Sequence, residues 1–246
     1  DGQVLTSTGS GVGWEDASGG GLATSGGTLT GDLTLAAGAD LLTASAGDDN
    51  VRIGLDAGDS IASGGNRNIV IGRNAGTAIT TADSNVAIGW EALKTEDAHG
   101  NNTAIGASAL ATQNAGADGY NVAVGYNAGS AVRSVAIGFE ALKTQNFTSN
   151  TDSDNTAVGN RTGALLTTGK DNTLIGSYAG DAITTSVSNT AVGRSSLSAT
   201  TTGDENSAVG RGSLSGNTTG ENNAALGFNA LASNTTASNN TAVGSS

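Results

Sequence analysis

The chain has 246 residues, 39 of them Gly, with no Cys, Pro or Met, 3% aromatics and a formal net charge of −12. So acidic a chain argues against nucleic acid or an anionic membrane surface as partner, and without Cys it has neither disulfides nor thiolate metal sites. Its apolar residues are mostly Ala, Val, Ile and Leu, which fill only a narrow core, and no apolar run approaches the roughly 20 residues of a membrane span.

Residues 1–45 are read as an N-terminal Gly/Ser-rich β region, a fibre connector or trimer-forming element. "DGQVLTSTGSGVGWEDASGGG" is Gly/Ser-rich around Trp14, and "SGGTLTGDLTL" alternates Leu29, Leu33 and Leu35 with Thr and Asp. Both suggest short strands and turns, with Trp14 anchoring a small β-cluster or a subunit contact rather than a ligand. "DLLTASAGDDN" then leads into the array.

From residue 46 to 246 one short unit recurs. Its anchor is Asn, a β-former, usually Ala, then Val, Ile or Leu, then Gly. Examples pair Asn85 with Gly89, Asn102 with Gly106, Asn189 with Gly193, Asn206 with Gly210 and Asn223 with Gly227. Twelve anchor glycines run from Gly54 to Gly244, and their spacings are 18, 17, 17, 19, 13 and 21, then 17 five times. The copy at Gly138 begins with Ser134 instead of Asn. A small residue followed by Leu or Gly comes after each complete anchor, as in Ala92-Leu93, and a Thr pair such as Thr201-Thr202 follows in several units.

"NVAIG" alternates Val86 and Ile88 with Ala87, the two-residue period of a strand, and is too short for a helix. The Ala-Leu element reads as a second strand and "TTG" as a turn. Each period is thus expected to be one coil of strand, bend, strand and loop, stacked at about 4.8 Å per coil into a parallel β-solenoid of some twelve coils. The anchor Asn reads as a corner residue forming a side-chain ladder rather than a ligand contact. Two large aliphatics per coil bury little area against the ordering of a whole coil. An oligomer is therefore expected, its subunits packing through Ala, Val and Leu with the Ala face presented to a neighbour.

"NVAIGWEAL", "SVAIGFEAL" and "NTAVGRSSL" resemble the head repeats of YadA-like trimeric autotransporter adhesins. That resemblance covers residues 50–244 and implies a homotrimeric, left-handed parallel β-roll. "DGQVLTSTGSGVGWED" and "SGGTLTGDLTL" look like segments of tail-fibre and other fibrous proteins of tailed bacteriophages. The usual coil of 17 residues is longer than the adhesin coil, which places the adhesins' binding faces outside what the resemblance carries.

The residue types that carry catalysis are thin. His99 sits in the polar loop "TEDAHGNN" and reads as solvated, and no G-x-S-x-G elbow accompanies it. Glu91, Glu96, Asp97, Glu140, Asp152, Asp154, Asp204, Glu205 and Glu221 are formal candidates for a glycosidase pair, but loop acids also serve solubility. "GDDN" at 47–50 and "TDSDN" at 151–155 have the oxygen density of a weak Ca²⁺ loop without EF-hand spacing. The Thr pairs invite an ice-binding reading, but adjacent residues point to opposite faces. Trp90, Tyr126, Phe139 and Phe228 follow an anchor Gly directly and Tyr178 lies two after one, so these five are the candidates for stacking on sugar rings, with burial at a corner or subunit seam as the alternative.

The expectation is a non-enzymatic structural and adhesive fibre without cofactor or metal, a homotrimer on a bacteriophage virion or tail. One end would dock to other virion or tail proteins. The fibre would present a surface to a host glycan or outer-membrane receptor, with no nucleic acid and no membrane insertion. The alternatives are a bacterial trimeric autotransporter-type adhesin on the cell surface and, further off, a polysaccharide-degrading tailspike. The chain stops inside a unit, at "NTAVGSS", so the array is expected to continue beyond residue 246.

Overall fold

The computed structural model describes residues 6–7, 12–13, 46–96, 98–112, 119–129, 133–145 and 152–245. Trp14, Leu29, Leu33, Leu35, Asp97 and Thr151 lie outside them. The backbone divides into two units, Asp1–Leu41 and Leu42–Ser246. In the first, β1 (Thr6–Ser7) and β2 (Val12–Gly13) pair antiparallel.

The second unit is a parallel β-solenoid. Its strands are β3 (Val51–Ile53), β4 (Ile69–Ile71), β5 (Val86–Ile88), β6 (Thr103–Ile105), β7 (Val122–Val124), β8 (Val135–Ile137), β9 (Thr156–Val158), β10 (Thr173–Ile175), β11 (Thr190–Val192), β12 (Ser207–Val209), β13 (Ala224–Leu226) and β14 (Thr241–Val243). They form one 12-stranded sheet in strict chain order, every pair parallel and in register anchor on anchor. At about 4.8 Å per strand the stack is roughly 53 Å long. The 13- and 21-residue spacings leave register intact, because Val122 still pairs with Val135 and Val135 with Thr156.

Among the described residues each coil carries one three-residue strand, not two. The Ala-Leu element is a run of turns, and its Leu sits at positive φ, as at Leu93, Leu197 and Leu214 (φ 50 each). Further left-handed residues fall two after the anchor Gly and just before the Asn, as at Ser195 and Ser188 (φ 58 each). The left-handed corner thus precedes the Asn instead of falling on it. The anchor Gly is obligatory: at Gly193 φ is 133, and a Cβ would lie 2.6 Å from the carbonyl of Gly210 in the next coil.

The faces of the strand are the reverse of the sequence expectation. The central Ala is the interior residue, fully buried at Ala87, Ala104, Ala191 and Ala208, while the flanking β-branched residues point outward. Most coils place only a methyl group there, but Val70 and Leu174, both fully buried, fill the same position in the coils of Gly76 and Gly180. The Ala face is therefore not free for a neighbouring chain.

Corner filling follows a reciprocal rule. Where the residue four after the anchor Gly is Leu (Leu93, Leu142, Leu197, Leu214), the residue three further on is a buried polar one (Glu96, Gln145, Thr200, Asn217). Where it is Gly (Gly58, Gly76, Gly163, Gly180), that later residue is Ile61, Ile79, Leu166 or Ile183. One large aliphatic occupies the corner, from either side. At Gly76 a Cβ would lie 2.8 Å from Ile79 Cδ1, so both cannot be large at once.

The anchor Asn side chains form a buried amide ladder. Asn189 Nδ2 donates to Asn172 Oδ1 (3.2 Å) and to the Gly203 carbonyl (3.1 Å), and its backbone N–H donates to the same Asn172 Oδ1 (3.0 Å). Asn206 repeats this on Asn189 and Gly220. The ladder changes chemistry at Ser134, whose hydroxyl pairs with Ser153 and stands under the backbone N–H of Asn155 at 3.4 Å. The first Thr of four successive pairs adds a second column: Thr184 Oγ1 donates to the Thr201 carbonyl (3.0 Å) and Thr218 Oγ1 to that of Thr235 (3.0 Å), as do Thr167 and Thr201 to theirs.

Two outcomes follow. Asn189→Ala strips buried partners from Asn206 and Gly203 and is expected to cost about 1–3 kcal/mol, read by urea unfolding. Leu197→Gly is expected to cost about 2–4 kcal/mol, and adding Thr200→Ile to restore most of it, read by denaturation of the single and double variants.

Candidate functional site

The residue after each anchor Gly forms a surface column. In the middle of the array it reads Arg73, Trp90, Ala107, Tyr126, Phe139 and Asn160. Stacking is fixed by the backbone: the carbonyls of Trp90, Ala107, Tyr126 and Phe139 accept from the N–H groups of Ser108 (2.8 Å), Asn127 (3.0 Å), Glu140 (3.0 Å) and Arg161 (2.8 Å) of the following coils. Each step of the column is therefore one coil.

The structure gathers only part of the aromatic set. Tyr126 and Phe139 stack with centroids 5.5 Å apart and planes 16° from parallel. Trp90 (50% exposed) stands two coils before Tyr126 (52% exposed), with Ala107 between them. Phe228 lies far along the array, with the Arg211 guanidinium 5.6 Å from its ring centroid. Tyr178 is one place later in its coil, at φ 60, so it belongs to a neighbouring column. All five rings are partly exposed, and none is a corner plug.

That neighbouring column is polar around the rings: Glu91, Ser108, Asn127 and Glu140. Glu91 Oε1 accepts from Lys94 Nζ (2.9 Å) and Glu140 Oε1 from Lys143 Nζ (2.8 Å). Glu91 and Glu140 are three coils apart, about 14 Å along the stack, wider than the two carboxylates of a glycosidase.

The remaining candidates have structural partners. His99 is not the solvated loop residue expected from sequence, because its Nδ1 lies 2.8 Å from Oε1 of Glu96, whose side chain is fully buried. Asp152 pairs with Arg133 (2.6 Å), and Asp204 Oδ1 accepts the backbone N–H of Val187 (2.8 Å). Glu205, at φ 56, is a left-handed corner residue, as is Asp154 at φ 46. The backbone N–H of Glu221 donates to Ser238 Oγ (2.9 Å). Asp48 in the "GDDN" stretch has its N–H on Asn66 Oδ1 (2.8 Å). No group of three potential metal ligands occurs among the described residues.

A second surface was missed in sequence. The outward residue before each anchor Gly is Val, Ile or Leu in all twelve coils, and Ile53, Ile105, Ile137, Ile175, Val209 and Leu226 are exposed. Val or Ile two residues earlier widens this stripe in β3, β4, β5, β7 and β8, whereas Thr, Ser or Ala stands there from β9 onward. The repeated Val-Ala-Ile word carried the signal, but the face assigned to the interior was the wrong one.

One acid is strained by its surroundings. Burial pushes the Asp181 carboxyl above the ordinary carboxylate range, against the opposing effects of its own backbone hydrogen bond and the Arg161 charge. Comparison of the chain with protein-family models, curated proteins and solved structures finds no match.

A raised folded pKa means the native state binds the proton more tightly than the unfolded chain. Stability from this group is therefore full below the usual carboxylate range and is lost as pH rises through the folded pKa. Asp181→Asn is expected to be more stable than the parent at pH 7, the gap closing on acidification, as read by thermal unfolding at several pH values.

Proposed function

We propose that this chain is a segment of a homotrimeric structural and adhesive fibre, carried on a bacteriophage virion or tail. The carrying observation is the apolar stripe on the outer strand face, continuous through twelve coils. A stripe some 53 Å long and one to two side chains wide reaches several hundred Å², the size at which exposed apolar surface marks an interaction site. Copies of a regular rod present the same spacing, so one stripe fits another coil for coil.

Three copies rather than two follow from the likeness of "NVAIGWEAL" to trimeric adhesin heads, and the virion from the likeness of residues 1–45 to phage fibre segments. The stripe replaces the Ala face as the packing surface, since Ala87 and its equivalents are enclosed. The rod's work is mechanical. It sets a host-attachment surface away from the particle and repeats weak contacts whose avidity multiplies. The partners proposed are virion or tail proteins at one end and a host glycan or outer-membrane receptor along the surface. A cell-surface adhesin is the second reading, favoured by the same repeat words. The spacing of Glu91 and Glu140 favours both over a polysaccharide-degrading spike.

The test is mass in solution. Sedimentation of the whole chain is expected to give three times the 23.7 kDa chain mass. Ile137→Asp with Val192→Asp, both on the stripe, is expected to dissociate it while the far-ultraviolet spectrum is kept. A monomeric parent would overturn the fibre reading. Antibody to this segment on intact particles, seen by electron microscopy, separates a virion fibre from a bacterial adhesin.

A further inference from the structure

Trp90 and Tyr126 stand in one hydrogen-bonded column with Ala107 as the step between them. Rings on adjacent steps of this column meet face to face, as Tyr126 and Phe139 do at 5.5 Å. Two steps therefore set the Trp90 and Tyr126 positions about 10 Å apart along the column. A methyl group is all that rises from the floor between them. The far side of Tyr126 is already covered by Phe139. The Trp90 ring has no aromatic or cationic partner among the described residues, and the step on its other side is Arg73.

Resting on the reading of the chain as an attachment fibre, we propose that this notch is a binding slot for one pyranose ring of a surface polysaccharide. Its width favours a puckered ring over a flat one. A planar base or aromatic ring sandwiched between two rings needs about 7 Å, two van der Waals contacts of 3.5 Å each. A puckered sugar chair, presenting C–H groups on both faces, needs about 8 Å before its equatorial hydroxyls are counted, which is nearer the two-coil spacing than a flat ring comes. The net charge of −12 also disfavours a nucleic-acid strand as the source of a flat ring. Glu91, Ser108 and Asn127 follow Trp90, Ala107 and Tyr126 in the chain and are half-buried. They put a carboxylate, a hydroxyl and an amide beside the notch, donors and acceptors suited to ring hydroxyls. Tyr178 and Phe228 have no such notch: one lies in another column and the other is capped by Arg211.

The whole chain is applied to a printed array of bacterial capsule and O-antigen polysaccharides, and the soluble oligosaccharide of the strongest spot is then titrated by calorimetry into every variant, with tryptophan fluorescence also read on the parent. Binding with a change in Trp emission is expected. Trp90→Ala, Tyr126→Ala and the slot-filling Ala107→Leu are each expected to weaken it about tenfold or more, and Tyr178→Ala to leave it unchanged. Sedimentation is run on every variant. No pyranose polysaccharide bound by the parent, or binding that survives Ala107→Leu and Trp90→Ala, overturns the slot and leaves the fibre reading standing. A change of assembly mass in the ring variants also overturns it, by assigning the rings to the contact between copies. A parent that binds through the slot yet sediments as a monomer sinks the fibre and keeps the slot.

Discussion

The coils are hydrogen-bonded in register to their neighbours, and the anchor amides of each coil find most of their partners in the coils beside it. Asn172, Asn189 and Asn206 show the constraint most plainly: one amide oxygen receives both a side-chain and a backbone N–H from the coil that follows. Buried in a narrow core, those groups have no water to turn to, so a slipped register would leave several unpaired at once. The period is thus set by polar satisfaction more than by apolar area. That explains how spacings of 13 and 21 are tolerated. Val122, Val135 and Thr156 stay aligned, and the variation lies elsewhere in the coil.

Fixed register turns sequence positions into surface columns, and this is where the fold meets function. A residue's neighbours are its counterparts one coil away. Trp90, Ala107 and Tyr126, separated by 17 and 19 residues, become successive steps of one column. The arrangement of Tyr126 against Phe139, 13 residues apart, arises the same way. A binding surface on such a scaffold is written by choosing one residue per coil, without any special loop.

The parallel stack and its strands were legible because Asn, a central Ala and Gly recur at fixed places in most anchors, Gly in all twelve. The inside and outside of the strand were not. Alternation divides Val86 and Ile88 from Ala87 but does not say which set is enclosed, and the usual rule that larger apolar residues go inside fails at the strand where the corner aliphatic already fills the coil. The second strand was misread for a related reason. Leu93 and Leu197 at φ 50 contradict the preference of a γ-branched residue for negative φ, and only the closed corner they fill makes that conformation hold. The reciprocal exchange of Leu197 with Thr200 against Gly180 with Ile183 was present in the sequence, but its meaning needed the corner in three dimensions. For the site, the spacing after Gly named the aromatic residues correctly. Which rings meet depended on the coil count between them.

The narrow interior has a consequence for the outer surface. With Ala at the centre of most strands, the β-branched residues that favour strand geometry face outward, where alone they would be a liability. The stripe is broadest over β3 to β8 and narrows where Thr173, Thr190 and Ser207 replace Val. Trp90, Tyr126 and Phe139 fall in that same broad stretch. If copies pack through the stripe, their hold is strongest where the aromatic column is richest, and the rings are then carried on the stiffest part of the rod. Rigid backing of this kind reduces the ordering cost of each weak contact, which is what a surface relying on many weak contacts requires.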